Sequence, residues 1–295
     1  MCHHSKSKIH HPTSSLFLLF PGSSHTHHAP LKQYADRANV CYLGLTPKHS
    51  GIDRHAANRH LLPMSFFVTA TDTGVGKTHV TRLLLQALRR VGINAAGYKP
   101  VACGDRDDGR ILAAASGNLP LDTVNPLHLK SPVSPYVASL LENQVVNPEV
   151  LLEGFRRLAA VHPVVFVEGV GGWEVPLTAT YRMSDLAKDL GLPVLLVAAN
   201  RLGVLNHILL TLAAIRSKGL TCAGIFLNQL DDQLDTAMIT NVSVVRDLAG
   251  VPLLEHLIYQ QDFLDAQVVR SLACGGTLPL AASHEPPFPI PTATC

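Results

Sequence analysis

Apolar positions fall into a regular rhythm only from Met64 onward. Ser65–Thr69, with Phe66, Phe67 and Val68 at its centre, reads as a buried strand. Val80, Leu83, Leu84, Ala87, Leu88 and Val91 then recur at helical spacing, and Gly92 stands where a helix stop is expected. Further strand-like runs are Ile93–Tyr98, Val164–Val167, Val194–Ala198, Ala223–Leu227 and Val251–Leu257. Helical stretches over Pro148–Ala160, Gly203–Ser217 and Leu234–Ala249 separate most of them. Strand and helix alternating in this way predict an α/β fold with a mostly parallel sheet and helices on both faces. A ligand is then expected at the carboxyl ends of the strands.

Two flanking segments lack this rhythm. Residues 1–63 mix His, Ser, Pro and Lys with no sustained period and hold 10 of the 16 histidines. Such a segment buries too little apolar surface to offset its ordering entropy, so a disordered extension is expected. A His-rich metal-binding arm and an organelle-targeting presequence are the functional alternatives; the reading preferred is an upstream extension with Met64 as the first residue. From Cys274 to Cys295, Pro279, Pro286, Pro287, Pro289 and Pro291 deny both helix and central strand, and a loose tail is expected. The catalytic domain is thus expected over residues 64–273.

Charge changes the picture in one respect. Residues 1–63 carry 7 basic and 2 acidic side chains, leaving 17 basic and 20 acidic for the rest. The basic excess belongs to the arm alone, which speaks against a nucleic-acid partner. The six cysteines have no paired spacing, so reduced thiols and a cytoplasmic setting are expected. No apolar run approaches the ~20 residues that span a bilayer, so no membrane partner is expected.

The candidate chemistry lies at the strand tips. Thr71-Asp72-Thr73-Gly74-Val75-Gly76-Lys77-Thr78 follows the first strand and opens the first helix. Small residues there let backbone N–H groups converge on phosphate oxygens, Lys77 reaches the terminal phosphates and the Thr78 hydroxyl suits Mg²⁺. The motif is a deviant phosphate loop, with Thr71 in place of the usual first glycine, and it makes the fold P-loop NTPase-like. Lys99 ends the second strand, at what reads as the neighbouring tip, and can enter the same crevice. Val164–Glu168 followed by Gly169-Val170-Gly171-Gly172 resembles a Walker B strand, whose acid binds Mg²⁺ directly or through water. Asp105, Asp107 and Asp108 fall in a polar loop after the second strand, and the pattern does not choose among them. Asn228-Gln229-Leu230-Asp231 is close to a guanine-reading motif but has Gln229 where the lysine belongs, so Asn228 is read as an amide recognising adenine.

Together these pieces resemble one family, dethiobiotin synthetase, over roughly Met64–Asp265. The match rests on Thr71–Thr78, Tyr98-Lys99-Pro100-Val101, Thr123-Val124-Asn125-Pro126, Val167–Trp173 and Asn206-His207. The resemblance implies an ATP-dependent cyclo-ligase that converts 7,8-diaminononanoate, CO₂ and MgATP into dethiobiotin, ADP and phosphate, and that works as a homodimer. It implies catalytic roles for Lys99, Lys77 and Thr73, and metal ligation by Thr78, Asp108 and Glu168. Nucleotide contacts are implied for Gly74, Val75, Gly76, Lys77, Thr78, His79, Asp108, Glu168, Gly169, Val170, Gly171, Asn228 and Gln229. Substrate contacts are implied for Thr73, Lys99, Cys103 and Ser134.

Three positions depart from the family pattern. Ala70 stands where glycine is common, Cys103 replaces a serine near the substrate, and Leu254-Glu255-His256-Leu257-Ile258 lacks the usual Gly and Pro beside the adenine. None removes a charged group. The alternative reading, a partition-type P-loop ATPase switch, places a lysine where Asp72 stands and has no counterpart of Lys99; a GTPase switch is the third.

Overall fold

The computed structural model describes residues 65–265 together with Val268 and Leu272. The expectations for the arm 1–63, for Met64 and for the tail 274–295 lie outside the described residues.

In chain order the elements are β1 (Phe66–Ala70), α1 (Lys77–Arg90), β2 (Ala95–Tyr98), β3 (Val101–Cys103), α2 (Asp107–Ala115), α3 (Leu121–Val124), β4 (Leu127–Leu129), α4 (Pro135–Glu142), α5 (Pro148–Ala159), β5 (Val164–Glu168), α6 (Met183–Leu190), β6 (Val194–Ala199), α7 (Val204–Ser217), β7 (Cys222–Asn228), α8 (Thr236–Leu248) and β8 (Leu253–Leu257). Six strands form one sheet in the order β2-β5-β1-β6-β7-β8, and β3 pairs with β4 in a second, two-stranded sheet. Every strand pair is parallel.

Alternation along β1 shows why the runs are continuous. Phe66, Val68 and Ala70 pack with Val80, Leu84 and Leu88 of α1 on one face, and Phe67 packs on the other with Trp173, Met183 and Leu186. Phe67 and Trp173 meet edge to face with ring centroids 6.2 Å apart. With helices on both faces, neither set of side chains meets water, and both sets are mostly apolar, with Thr69 the one polar side chain of β1. The expected strands and helices are therefore present, with ends shifted by one or two residues.

Four features differ from the expectation. The order of the main sheet puts β5 between β1 and β2, so Lys99 reaches the phosphate loop across the tip of β5. Asp107 and Asp108 are not in a loop but open α2, where carboxylates suit the helix N-terminus. The β3–β4 sheet was not foreseen, because strands of three residues carry no period. Nor were α2, α4 and α6, each about two turns long; Pro135 starts α4 at its first position, and Asp185 accepts from the Arg182 N–H at 2.8 Å at the start of α6.

Candidate active site

The phosphate loop is held from three sides. Thr71 N–H donates to Val197 O at 3.0 Å, tying the loop to β6. Asp72 accepts from Thr73 N–H at 2.7 Å and from Arg201 Nη2 at 3.1 Å. Asn228 Nδ2, from the end of β7, donates to Val75 O at 3.0 Å. Gly76 has φ +95°, and a Cβ there would lie 2.2 Å from Asn228 Nδ2, so both backbone conformation and space require glycine.

Lys99 stands at the centre. Its side chain is 2% exposed, and its ammonium donates to Glu168 Oε1 at 2.7 Å, Asp108 Oδ2 at 2.8 Å and Gly169 O at 3.1 Å. All three donors are thereby used. Burial lowers its pKa, but the Glu168 and Asp108 carboxylates outweigh that and hold it above the ordinary lysine value. Burial raises the Asp108 pKa, and Lys99 outweighs that in turn, so the carboxyl is held below its ordinary value. Lys77 is buried and, with the charge of Lys99 adding to the effect, is pushed down to about 8.

Thr78 Oγ1 donates to Glu168 Oε1 at 2.7 Å, and Asp108 and Glu168 both accept from the Lys99 ammonium, so Thr78, Asp108 and Glu168 gather at one centre. Glu168 is 0% exposed, and its second oxygen, Oε2, has no hydrogen-bond partner. An ionised oxygen left so is costly unless a cation supplies the missing contact. Two carboxylates and a hydroxyl are a hard-oxygen set that fits Mg²⁺, which takes few protein ligands and keeps waters or phosphate oxygens. Among the described residues no cluster of three or more His, Cys, Asp or Glu could hold a metal by itself.

Gly169 follows β5 directly and donates its N–H to Val68 O at 3.0 Å; a Cβ on Gly171 would lie 3.5 Å from Thr73 Oγ1. The glycine loop after β5 therefore faces the phosphate loop. Gln229 N–H donates to Leu257 O, while its side-chain amide is taken by Asp231 O at 2.8 Å. His79 Nε2 lies 2.9 Å from Gln261 O and Nδ1 lies 3.3 Å from Arg82 Nη2. The imidazole thus spans from α1 to the segment after β8, and burial, then Arg82, lowers its pKa.

Cys103 ends β3, and Ser134 precedes α4 beyond the partner strand β4. Burial, then Glu142, pushes the Cys103 thiol up to about 11, so it is a neutral group at physiological pH. Glu142 accepts from Lys130 N–H at 3.0 Å and Ser131 N–H at 2.7 Å and so shapes the Ser134 loop. Neither Glu142 nor Arg201 was singled out from the sequence, since a lone charged residue on an exposed helix or loop carries no local signature.

A solved ParA family ATPase from Chlorobium tepidum TLS aligns over 72% of this chain and 90% of its own, with TM-score 0.42 and 16% identity, a likeness without functional weight. A family model described as an AAA domain matches residues 64–261. The ATP-dependent dethiobiotin synthetase BioD of Akkermansia muciniphila is 51% identical over 206 residues, covering 70% of this chain and 97% of that protein. This chain belongs to the dethiobiotin synthetase family.

Two further dethiobiotin synthetases are similar over the same part. That of Aromatoleum aromaticum is 41% identical over 72% of this chain and 99% of its own, and that of Xanthomonas oryzae pv. oryzae is 40% identical over 68% and 93%. The chain therefore spans nearly the whole of these synthetases. Within this dethiobiotin synthetase, the departure at Leu254–Ile258 falls on β8 and the residue after it, while Ala70 ends β1 with its side chain in the core.

Proposed function

We propose that this chain closes the ureido ring of dethiobiotin from 7,8-diaminononanoate and CO₂, with Lys77, Lys99, Thr78, Asp108 and Glu168 as the working groups. Membership of the family makes it an ATP-dependent cyclo-ligase of biotin biosynthesis. The roles of individual residues rest on the convergence of Lys99, Asp108, Glu168 and Thr78 beside the phosphate loop.

One amine of the diamine adds to CO₂ and loses a proton, giving a carbamate. A carbamate oxygen attacks the γ-phosphorus of ATP, the bond to the bridging oxygen breaks, and ADP leaves. The product is a carbamic-phosphoric anhydride. The second amine then attacks the carbamoyl carbon, phosphate leaves with the electron pair of the broken C–O bond, the attacking nitrogen gives up a proton that the departing phosphate can take, and the five-membered urea remains. Each step gathers or moves negative charge on oxygens, which preorganised cations stabilise most. Lys77 and the N–H groups of Gly74–Thr78 hold the phosphates, Thr73 sits between them and the glycine loop, and Lys99, whose three donors are taken in the free protein, exchanges part of its contact with Glu168 and Asp108 for the carbamate and the γ-phosphate. Thr78, Asp108 and Glu168 would hold Mg²⁺, which when bound supplies charge neutralisation on the phosphates.

Adenine recognition falls to Asn228. Its amide nitrogen is committed to Val75 O, which leaves Oδ1 to accept from a base. Adenine offers an amine there, whereas guanine offers an oxygen. Cys103 and Ser134 line the diamine side. A homodimer in the cytoplasm completes the proposal; the exposed Leu202, Leu210 and Ile239 around α7 and α8 supply apolar surface that a second copy would cover.

The deciding experiment measures ADP release with the diamine and bicarbonate added separately and together. Release that needs both is expected; release indifferent to both would return the partition-type switch. ATP, and not GTP, is expected to raise the melting temperature, by an amount equivalent to ~2.7 kcal/mol at a ligand concentration 100 times Kd.

Lys77 makes a pH test available. A lysine titrating at about 8 in the free protein is charged below that value and neutral above it. Phosphate binding favours the charged form, so ATP affinity should hold up to about pH 8 and then fall by up to ~10-fold per unit. Calorimetric titration across pH 7 to 9.5 checks this, and Lys77→Met should abolish the slope; a flat wild-type profile would remove Lys77 from the phosphate site.

A further inference from the structure

Thr123-Val124-Asn125-Pro126 takes no part in the chemistry above, yet its residues hold the backbone of Lys99 and pack beside Gly109, the neighbour of Asp108. Asn125 is fully buried. Lys99 N–H donates to Val124 O at 2.7 Å, and Asn125 Nδ2 donates to Lys99 O at 2.8 Å. Both backbone polar groups of Lys99 are therefore held by this one segment. They need it: β2 ends at Tyr98, Pro100 has no N–H, and Lys99 lies beyond the ladder of the main sheet.

The orientation of the amide is determined by its partners. Nδ2 also donates to Leu127 O at 3.0 Å, while Oδ1 accepts from Arg106 Nε at 3.0 Å. Arg106 Nη2 donates to Asn125 O at 2.6 Å and to Asp122 Oδ1 at 2.9 Å. Only a nitrogen can serve the two carbonyls and only an oxygen the guanidinium. Arg106 is the residue before α2, two before Asp108. Gly109, next to Asp108, packs so closely that a Cβ there would lie 3.0 Å from Asn125 Cβ. One side chain thus fixes the backbone that carries Lys99 and the helix start that carries Asp108.

We propose that Asn125, locked by Arg106, is a positioning residue that sets where the Lys99 ammonium enters the reaction. This rests on the role given to Lys99 above. Asn125→Ala should bind ATP at wild-type stoichiometry and with an ATP KM within about twofold of wild type, while kcat falls by about 10- to 100-fold, as displacements near 1 Å produce. A merely structural role would lower the ATP-binding fraction and leave kcat per bound site unchanged. Arg106→Gln removes the lock and leaves Asn125 in place; it should lower kcat in the same direction with ATP affinity kept. Arg106→Lys should recover part of the loss. Asp122→Ala, which removes only the exposed outer partner of Arg106, should behave as wild type.

If Asn125→Ala does not fold, Arg106→Gln decides. Wild-type kcat in both folded variants, alongside a collapsed Lys99→Met, would overturn the positioning role alone. Wild-type turnover in Lys99→Met would instead overturn the role of Lys99 and this inference with it.

Discussion

Lys99→Met should lose turnover by about 10² to 10³ while still binding ATP, the cost of removing a preorganised donor worth ~3 to 4 kcal/mol. The reason is where the charge sits. Lys77 lies in the phosphate loop and in the role proposed above would meet phosphates already present in the bound ground state. Lys99 arrives over the tip of β5, from the side of Glu168 and Asp108, and in the role proposed above it would meet oxygens whose charge grows during reaction. A contact that strengthens only in the transition state appears in kcat, not in ground-state binding. Lys77→Met should therefore lose both. The apo protein should also report the change: without Lys99, Glu168 is buried with only Thr78 as a partner, and its melting temperature should fall. Added MgATP should recover much of that fall by returning a cation to the carboxylate. Steady-state kinetics, calorimetric ATP titration and thermal melts measure these quantities. Normal turnover in Lys99→Met, or ATP binding lost as severely as in Lys77→Met, would end this division of roles.

Glu168→Gln is expected to be nearly as severe, for a different reason. The amide keeps an oxygen for Thr78 and Lys99 but replaces the unpartnered Oε2 with an NH₂ that cannot ligate a cation. Turnover should fall by about 10² or more, and the Mg²⁺ concentration for half-maximal rate should rise at least ~10-fold, as for the loss of a hard anionic ligand. The pH profile carries an independent sign. Lys99 acts as an ammonium, and its pKa is held up by Glu168 and Asp108. At saturating ATP, where the loss of affinity through Lys77 above about pH 8 is overcome, kcat should therefore be retained below that raised value and lost as pH climbs through it. Removing one carboxylate lowers the value, so the alkaline limb should move to lower pH in the variant. An unchanged Mg²⁺ requirement together with an unchanged alkaline limb would show that Glu168 neither binds the metal nor supports Lys99.

The parts readable from sequence are those whose information is local. The phosphate loop is contiguous, its helix shows one apolar stripe over nearly four turns, and β5 ends in Glu168 followed directly by glycines. Strand limits were less legible: β1 runs Phe66–Ala70 against an expected Ser65–Thr69, because a strand buried on both faces has no alternation to mark its ends. The short strands β3 and β4 left no pattern at all.

What tertiary structure alone decided is which distant residues meet. Among the three acids after β3, Asp105 caps the backbone of Asp107 at 3.0 Å and Asp107 pairs with Arg110 at 2.6 Å. Only Asp108 reaches Lys99, because the first turn of α2 points successive side chains in different directions and one of them faces the sheet edge. The strand order did the same for Lys99, setting it beside Glu168 and not beside β1. Asn125 was visible as a motif, but its amide acquires a role only when α2, β4 and the end of β2 pack around it. Local pattern specifies what a segment is; pairing, order and burial, which depend on contacts far apart in the chain, specify what it touches.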